Sequence, residues 1–190
     1  MLKFNNKVMK FGNYWGTSGS VTPPGPVFDE VTIGTQTWTA KNITMDDGEG
    51  GIYIHTLNYG QGDVVEYYYT QTAAKRIANK IDGWHLPDYV EMLEFINAIT
   101  NEADIISTYG WSNGNGTNAS GFNMFPAGYV YTYNDTLSAT GSYTCLWDSS
   151  TNSGSGEFIY IGGTNMGKPS RGYREMDLYA HPLRLIKDAT

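Results

Sequence analysis

From Ser107 onward the chain holds no helical period. Segments such as GWSNGNGTNASGF and DSSTNSGSG are dense in Gly, Asn, Ser and Thr, and each Gly costs a helix interior about 1 kcal/mol relative to Ala. Short β-prone runs break the polar stretches at residues 128–133, 142–147, 157–161 and 183–186. No internal repeat links them. This half of the chain must therefore build its core from short strands joined by long irregular loops. The 23 glycines and 15 tyrosines, against 12 Lys and Arg together, fit such a fold and not a helical bundle.

Helical signals lie only upstream. In YTQTAAKRIANKI, Ala73, Ala74, Ile77 and Ile81 form one apolar stripe. In DGWHLPDYVEMLEF, Pro87 disfavours the α region for Leu86, Asp88 is a good N-cap, and Glu91 three residues later completes a capping-box pattern. Tyr89, Leu93, Ile96 and Thr100 share a face of this second helix, with Met92 and Ile99 beside it; Trp84 and Leu86 are expected to plug the core. VTIGTQTWTAKNI predicts a hairpin around Gly34, and GGIYIHTL a strand. The fold class is therefore α+β: two helices plus short antiparallel strands and long irregular loops. Residues 1–16 alternate apolar and polar and predict a small attachment hairpin. Residues 17–26, rich in Gly, Ser, Thr and Pro, read as a linker, and residues 27–190 as the main domain.

Charge narrows the partners. The net charge is -7 with no Lys/Arg-rich run, which argues against nucleic acid and against anionic membranes. No stretch approaches the roughly 20 apolar residues of a membrane helix. The N-terminal segment lacks the apolar core of about 7–15 residues that a signal peptide needs, so none is expected in this chain. Four Asn-X-Ser/Thr matches, at Asn42, Asn115, Asn118 and Asn134, sit in Asn/Thr-rich loops and read as chance. Cys145, the one cysteine, excludes an intrachain disulfide and a multi-cysteine zinc site, and reads as core. His55, His85 and His181 show no metal-ligand spacing, and His85 is expected to pack on Trp84 and bond to backbone. The acidic stretch MDDGEGG does not match the calcium-loop register and reads as a solvated turn. No metal, cofactor or catalytic residue is expected, since no nucleophile stands with a poised base.

Five motifs stand in order: VTIGTQTWTAKNI, GWHLPDYVEMLEFI, GWSNGNGTNASGFNMFPAGY, LWDSS and HPLRLIKD. Together, over about residues 28–188, they resemble the Fibrobacter succinogenes major paralogous domain family. Thr39, Asp88, the Tyr89–Met92 stretch, Leu146 and HPLRL depart from the family's usual residues, which affects local packing. The resemblance implies a C-type lectin-like fold, related to the formylglycine-generating enzymes. Their cysteine-pair chemistry is excluded here by the single cysteine. LPD at 86–88 does not match the calcium tripeptide of sugar-binding C-type lectins.

A variant of this fold serves the variable proteins of diversity-generating retroelements, often phage tail receptor binders. The resemblance therefore implies a non-enzymatic protein whose C-terminal surface, diversified or not, binds a protein or glycan receptor on a cell surface. Residues 1–16 would attach it to virion or tail components in a phage of gut bacteria, with a homotrimer as the expected oligomer by analogy. A bacterial cell-surface adhesin or carbohydrate-binding module is the alternative. The expected recognition stretch is GTNMGKPSRGYREMDLY, with Asn165, Arg171, Tyr173, Arg174, Asp177 and Tyr179, since Tyr and Arg dominate binding hot spots. Tyr131, Tyr133 and Asn134, then Asp148, Ser150 and Asn152, and also Tyr160, would share its face.

Overall fold

The computed structural model describes residues 26–162 and 167–189. The attachment hairpin expected over 1–16, nearly all of the linker and Asn165 lie outside the described residues.

The chain opens with the expected hairpin, β1 (Glu30–Ile33) and β2 (Gln36–Thr39). Gly34 turns it at φ +62, where a Cβ would lie 2.8 Å from the Ala98 methyl. A second hairpin follows, β3 (Ile52–Asn58) and β4 (Asp63–Tyr69). Only β3 is legible in the sequence; DVVEYYY reads poorly because Glu66 interrupts its apolar run, yet Glu66 is buried beside Asn42 and Arg184.

Helix α1 (Gln71–Ala78) is capped by Thr70, which accepts from the Ala73 amide at 3.2 Å. Its stripe of Ala73, Ala74 and Ile77 is buried, as is Ile81 beyond its end. Strand β5 (Trp84–His85) leads to α2 (Tyr89–Ala98). The capping box forms at both ends: the Glu91 amide donates to Asp88 Oδ1 at 2.9 Å, and the Asp88 amide to Glu91 Oε2 at 2.8 Å. The buried line of α2 is Met92 and Phe95, continued by Ile99, rather than one centred on Tyr89 and Leu93. Phe95 is drawn in by two aromatic partners, Trp38 at 4.8 Å and Phe122 at 5.1 Å between centroids.

Three further strands, β6 (Tyr129–Tyr131), β7 (Thr136–Ser138) and β11 (Tyr179–Ala180), form a small sheet in the order β11-β6-β7. Another holds β8 (Thr144–Asn152), β9 (Ser155–Ile161) and β10 (Ser170–Glu175), in the order β10-β9-β8. The expected recognition stretch thus contains the edge strand β10, which carries Arg171, Tyr173 and Arg174. At the C-terminus, β12 (Ile186–Lys187) pairs with both β2 and β5, giving the order β1-β2-β12-β5 and seating the last strand among the first.

The core is split by the β8–β9 pair. Alternate residues Leu146, Ile159 and Ile161 join a cluster with Met92 and Phe95 of α2. The intervening Cys145, Trp147 and Phe158 join Ala73, Ala74 and Ile77 of α1. Each large side chain so buried contributes about 1.5–3 kcal/mol. Both sheet faces are covered, which explains why residues 144–147 and 157–161 read as near-continuous apolar runs. The architecture is α+β, rich in short antiparallel strands, with two helices.

Candidate functional site

Pairing of β6 with β11 places Tyr131 directly opposite Tyr179, their rings edge to face at 5.4 Å. The intervening Val130 and Ala180 point inward and are fully buried, so Tyr129, two residues before Tyr131, lies on the tyrosine side. Tyr129 meets Tyr179 at 5.6 Å and stacks on Tyr143 at 5.9 Å. Tyr143 in turn meets Tyr160 of β9 at 4.6 Å. A ladder of five half-buried tyrosines, Tyr131–Tyr179–Tyr129–Tyr143–Tyr160, therefore crosses from one sheet to the next.

Arg174 of β10 lies against this ladder. Its guanidinium carbon is 4.3 Å from the Tyr129 centroid, 4.6 Å from Tyr179 and 5.3 Å from Phe158. Nη2 donates to the Tyr143 hydroxyl at 3.3 Å. Two glycines make the room: Arg174 is paired with Gly156, and at Gly172 a Cβ would strike the Phe158 ring at 2.6 Å. Burial pushes the Tyr143 hydroxyl up to about 12 although Arg174 pulls the other way, so it is uncharged at neutral pH. Gly128 sets the start of β6 at φ +69, with the Ser138 carbonyl only 2.0 Å from where a Cβ would stand.

The remaining candidate residues divide. Tyr133, 85% exposed, and Asn134 occupy the β6–β7 turn at the Tyr131 end of the ladder. Exposed Asp177 joins them there, its carbonyl accepting from Thr132 Oγ1 at 2.7 Å. Ser150 gives its carbonyl to Gln71 Nε2 at 2.7 Å, and Asn152 is exposed near the tip of the β8–β9 hairpin. Arg171 and Tyr173 alternate to the opposite face of β10. There Arg171 pairs with Asp148 at 2.9 Å and with Glu157, and lies 3.9 Å over the Tyr89 ring. Asp148 has no exposed surface and cannot touch a ligand: it is the buried counter-charge of Arg171. The structure thus brings together Tyr131, Tyr160, Arg174 and Tyr179, and adds Tyr129 and Tyr143. Their signal was period two: Tyr129 precedes Tyr131 by two, and Tyr143 precedes Cys145 by two.

His85 does not bond to backbone. It is half-exposed, with Nδ1 2.6 Å from Asp188 and Nε2 2.9 Å from Glu91. Burial opposes its charge, but the hydrogen bonds to Asp188 and Glu91 outweigh it and raise the imidazole pKa. His181 is fully buried, 4.5 Å from Trp147, and burial holds its pKa well below the ordinary value. The same cause pushes the Cys145 thiol up to about 12, far from a reactive thiolate. The acidic stretch is not a solvated turn throughout: Asp47 is held bidentately by Arg76 at 2.8 and 3.0 Å and by Lys80 at 2.7 Å. Those bonds hold its carboxyl well below the usual range. Among the described residues no group of three His, Cys, Asp or Glu side chains could hold a metal, and no helix is long and apolar enough to cross a membrane. Two open concavities of about 290 and 260 Å³ flank the Gly34 turn, the first lined by Asp104 and Ser120 among others and the second by Glu94.

No family model, no curated protein and no solved structure matches the chain.

Proposed function

We propose that the chain is a non-enzymatic binding protein with a C-type lectin-like fold, whose tyrosine ladder and adjoining turns engage a receptor on a cell surface. The observation that carries this is the ladder itself. Five half-buried tyrosines in ring contact offer contact area with little side-chain entropy left to lose, the property that favours Tyr in binding surfaces. The exposed Tyr133, Asn134 and Asp177 extend it with adaptable polar groups. The lectin-like reading is supported by the last strand lying between β2 and β5, and by the motif GWHLPD forming a strand and a helix cap, not a site.

The setting that accords with the resemblance is a phage tail, with residues 1–16 as the attachment element and the C-terminal face open to retroelement diversification. An adenine-rich template repeat beside a reverse transcriptase in the neighbouring DNA is the expected observation, and its absence removes the diversification. The binding claim is tested with labelled chain and a panel of intact gut-bacterial cells. The wild type should decorate at least one strain, and the Tyr131→Ala/Tyr179→Ala variant should bind it at least tenfold more weakly. Equal binding by the two would overturn the assignment of this surface.

A further inference from the structure

Among the described residues β3 pairs only with β4, in an unbroken register from Ile52 opposite Tyr69 to Asn58 opposite Asp63. Its other side presents unpaired backbone N–H and C=O groups, a template for a further strand. Proteins blunt such edges with charge, proline, bulges or short length. The other edges of this fold are protected in these ways. Strands β5 and β11 hold two residues each and β7 three. Strand β1 starts at the exposed Glu30, and β10 follows Pro169 and carries Arg171, Arg174 and Glu175. Strand β8 is bulged between Trp147 and Thr151, and Gln71 Nε2 covers its Asp148 and Ser150 carbonyls at 2.7 Å. Strand β4 continues at Tyr69 into two backbone bonds with His181, at 2.8 and 2.9 Å. Strand β3, IYIHTLN, has none of these devices. It is seven residues long and unbulged, without Lys, Arg, Asp, Glu, Pro or Gly.

Charge selects the partner. The chain carries -7 overall, so two copies repel over most of their surfaces. Strand β3 set against itself opposes no acidic or basic residue to its like. The Asp135 carboxylate beside it is bonded by His55 Nε2 at 2.9 Å. Reversed on itself about His55, the strand keeps every residue paired, with Ile54 opposite Thr56 and Tyr53 opposite Leu57. Ile54, 47% exposed, then stands beside Thr56 of the second copy, and Val65, 51% exposed and opposite Thr56 on β4, joins the same row. Such cross-strand contacts between β-branched side chains stabilise a sheet.

We infer that β3 pairs antiparallel with the β3 of a second copy across a two-fold axis, joining two hairpins into one sheet of order β4-β3-β3-β4. This pairing uses no residue of the tyrosine ladder and does not rest on the receptor-binding reading.

Sedimentation equilibrium of the full chain, from about 1 µM to about 300 µM, spans weak to moderate association. The mass should rise from 21.0 kDa toward twice that value. Thr56→Lys puts a charge on the exposed outer row of the edge and should hold the mass at 21.0 kDa throughout, with a thermal midpoint, read at the lowest concentration, within a few degrees of wild type. Hydrogen exchange of the wild type should show the β3 amides that face away from β4 slowing as concentration rises. This second measurement stands even where the variant fails to fold. A wild-type mass of 21.0 kDa at every concentration overturns the pairing. If those amides are then slow at all concentrations, the edge belongs to residues 1–16 of the same chain. A dimer that persists in Thr56→Lys overturns β3 as the interface, and a mass three times that of the chain overturns the two-fold axis.

Discussion

Arg171 and Arg174 lie on the same edge strand and face opposite ways: Arg171 enters a pair of carboxylates, and Arg174 enters a row of tyrosines. One strand thus fastens the sheet on one face and furnishes the proposed binding surface on the other. Truncating the two should have different consequences. Arg171→Met removes the ion-pair partner of the Asp148 carboxylate, which has no exposed surface. Removing one member of a buried pair costs about 3–5 kcal/mol, and the lower end applies because the Arg171 side chain keeps 15% of its surface exposed. Urea unfolding should show this loss for Arg171→Met and a much smaller one for Arg174→Met.

The cap of α2 also holds the C-terminal segment. Glu91 accepts from the Asp88 amide and bonds His85, whose other nitrogen bonds Asp188. The folded His85 pKa is raised above 6.5, so its contribution to stability is complete below about pH 6.5 and fades as pH rises through the folded value. Urea midpoints measured from pH 6 to 8.5 should therefore fall for the wild type, and fall less for His85→Gln. Asp88→Ala should cost about 1 kcal/mol at any of these pH values by removing the cap.

Glu102 contributes pH dependence of its own. It is fully buried, one oxygen accepting from the Gly162 amide at 2.9 Å and the other without a partner among the described residues. Burial raises its carboxyl to about 7. An acid whose pKa is higher folded than unfolded loses stability as pH rises from 4.5 to about 7, because the native state must give up a proton it holds more tightly. Glu102→Gln keeps an oxygen for Gly162 and should flatten this slope. It should leave stability near pH 4.5 unchanged and raise it at pH 8, as read from thermal midpoints.

Gly128 admits the chain to β6. A methyl there would meet the Ser138 carbonyl at 2.0 Å on a backbone already at φ +69. Gly128→Ala should destabilise the fold by more than about 1 kcal/mol and displace Tyr129, weakening cell binding beyond what the stability loss accounts for.

Both helices were legible in the sequence, because caps and apolar stripes are local: Asp88 and Glu91 are three apart, and Ala73, Ala74, Ile77 and Ile81 lie within three turns. Strand β10 was not, because SRGYRE has no hydrophobic alternation. Its alternation is between an arginine aimed at carboxylates and one aimed at aromatic rings. Asp148 read as exposed for the same reason: its partner, Arg171, is 23 residues away, and nothing near it in the chain announces the pairing. The tyrosines gave half their arrangement. Tyr131 and Tyr179 could be named as candidates, but their contact, and that of Tyr129 with Tyr179, depends on a strand pairing across the sheet, and Tyr143 comes in only by stacking on Tyr129 from outside it.

Hydroxyl-radical footprinting of the chain, alone and bound to cells it decorates, tests the central claim most directly. Tyr131, Tyr133 and Tyr179 should be protected on binding, and Tyr173, exposed on the opposite face of β10, should not. Protection at Tyr173 with the ladder left reactive would contradict the account.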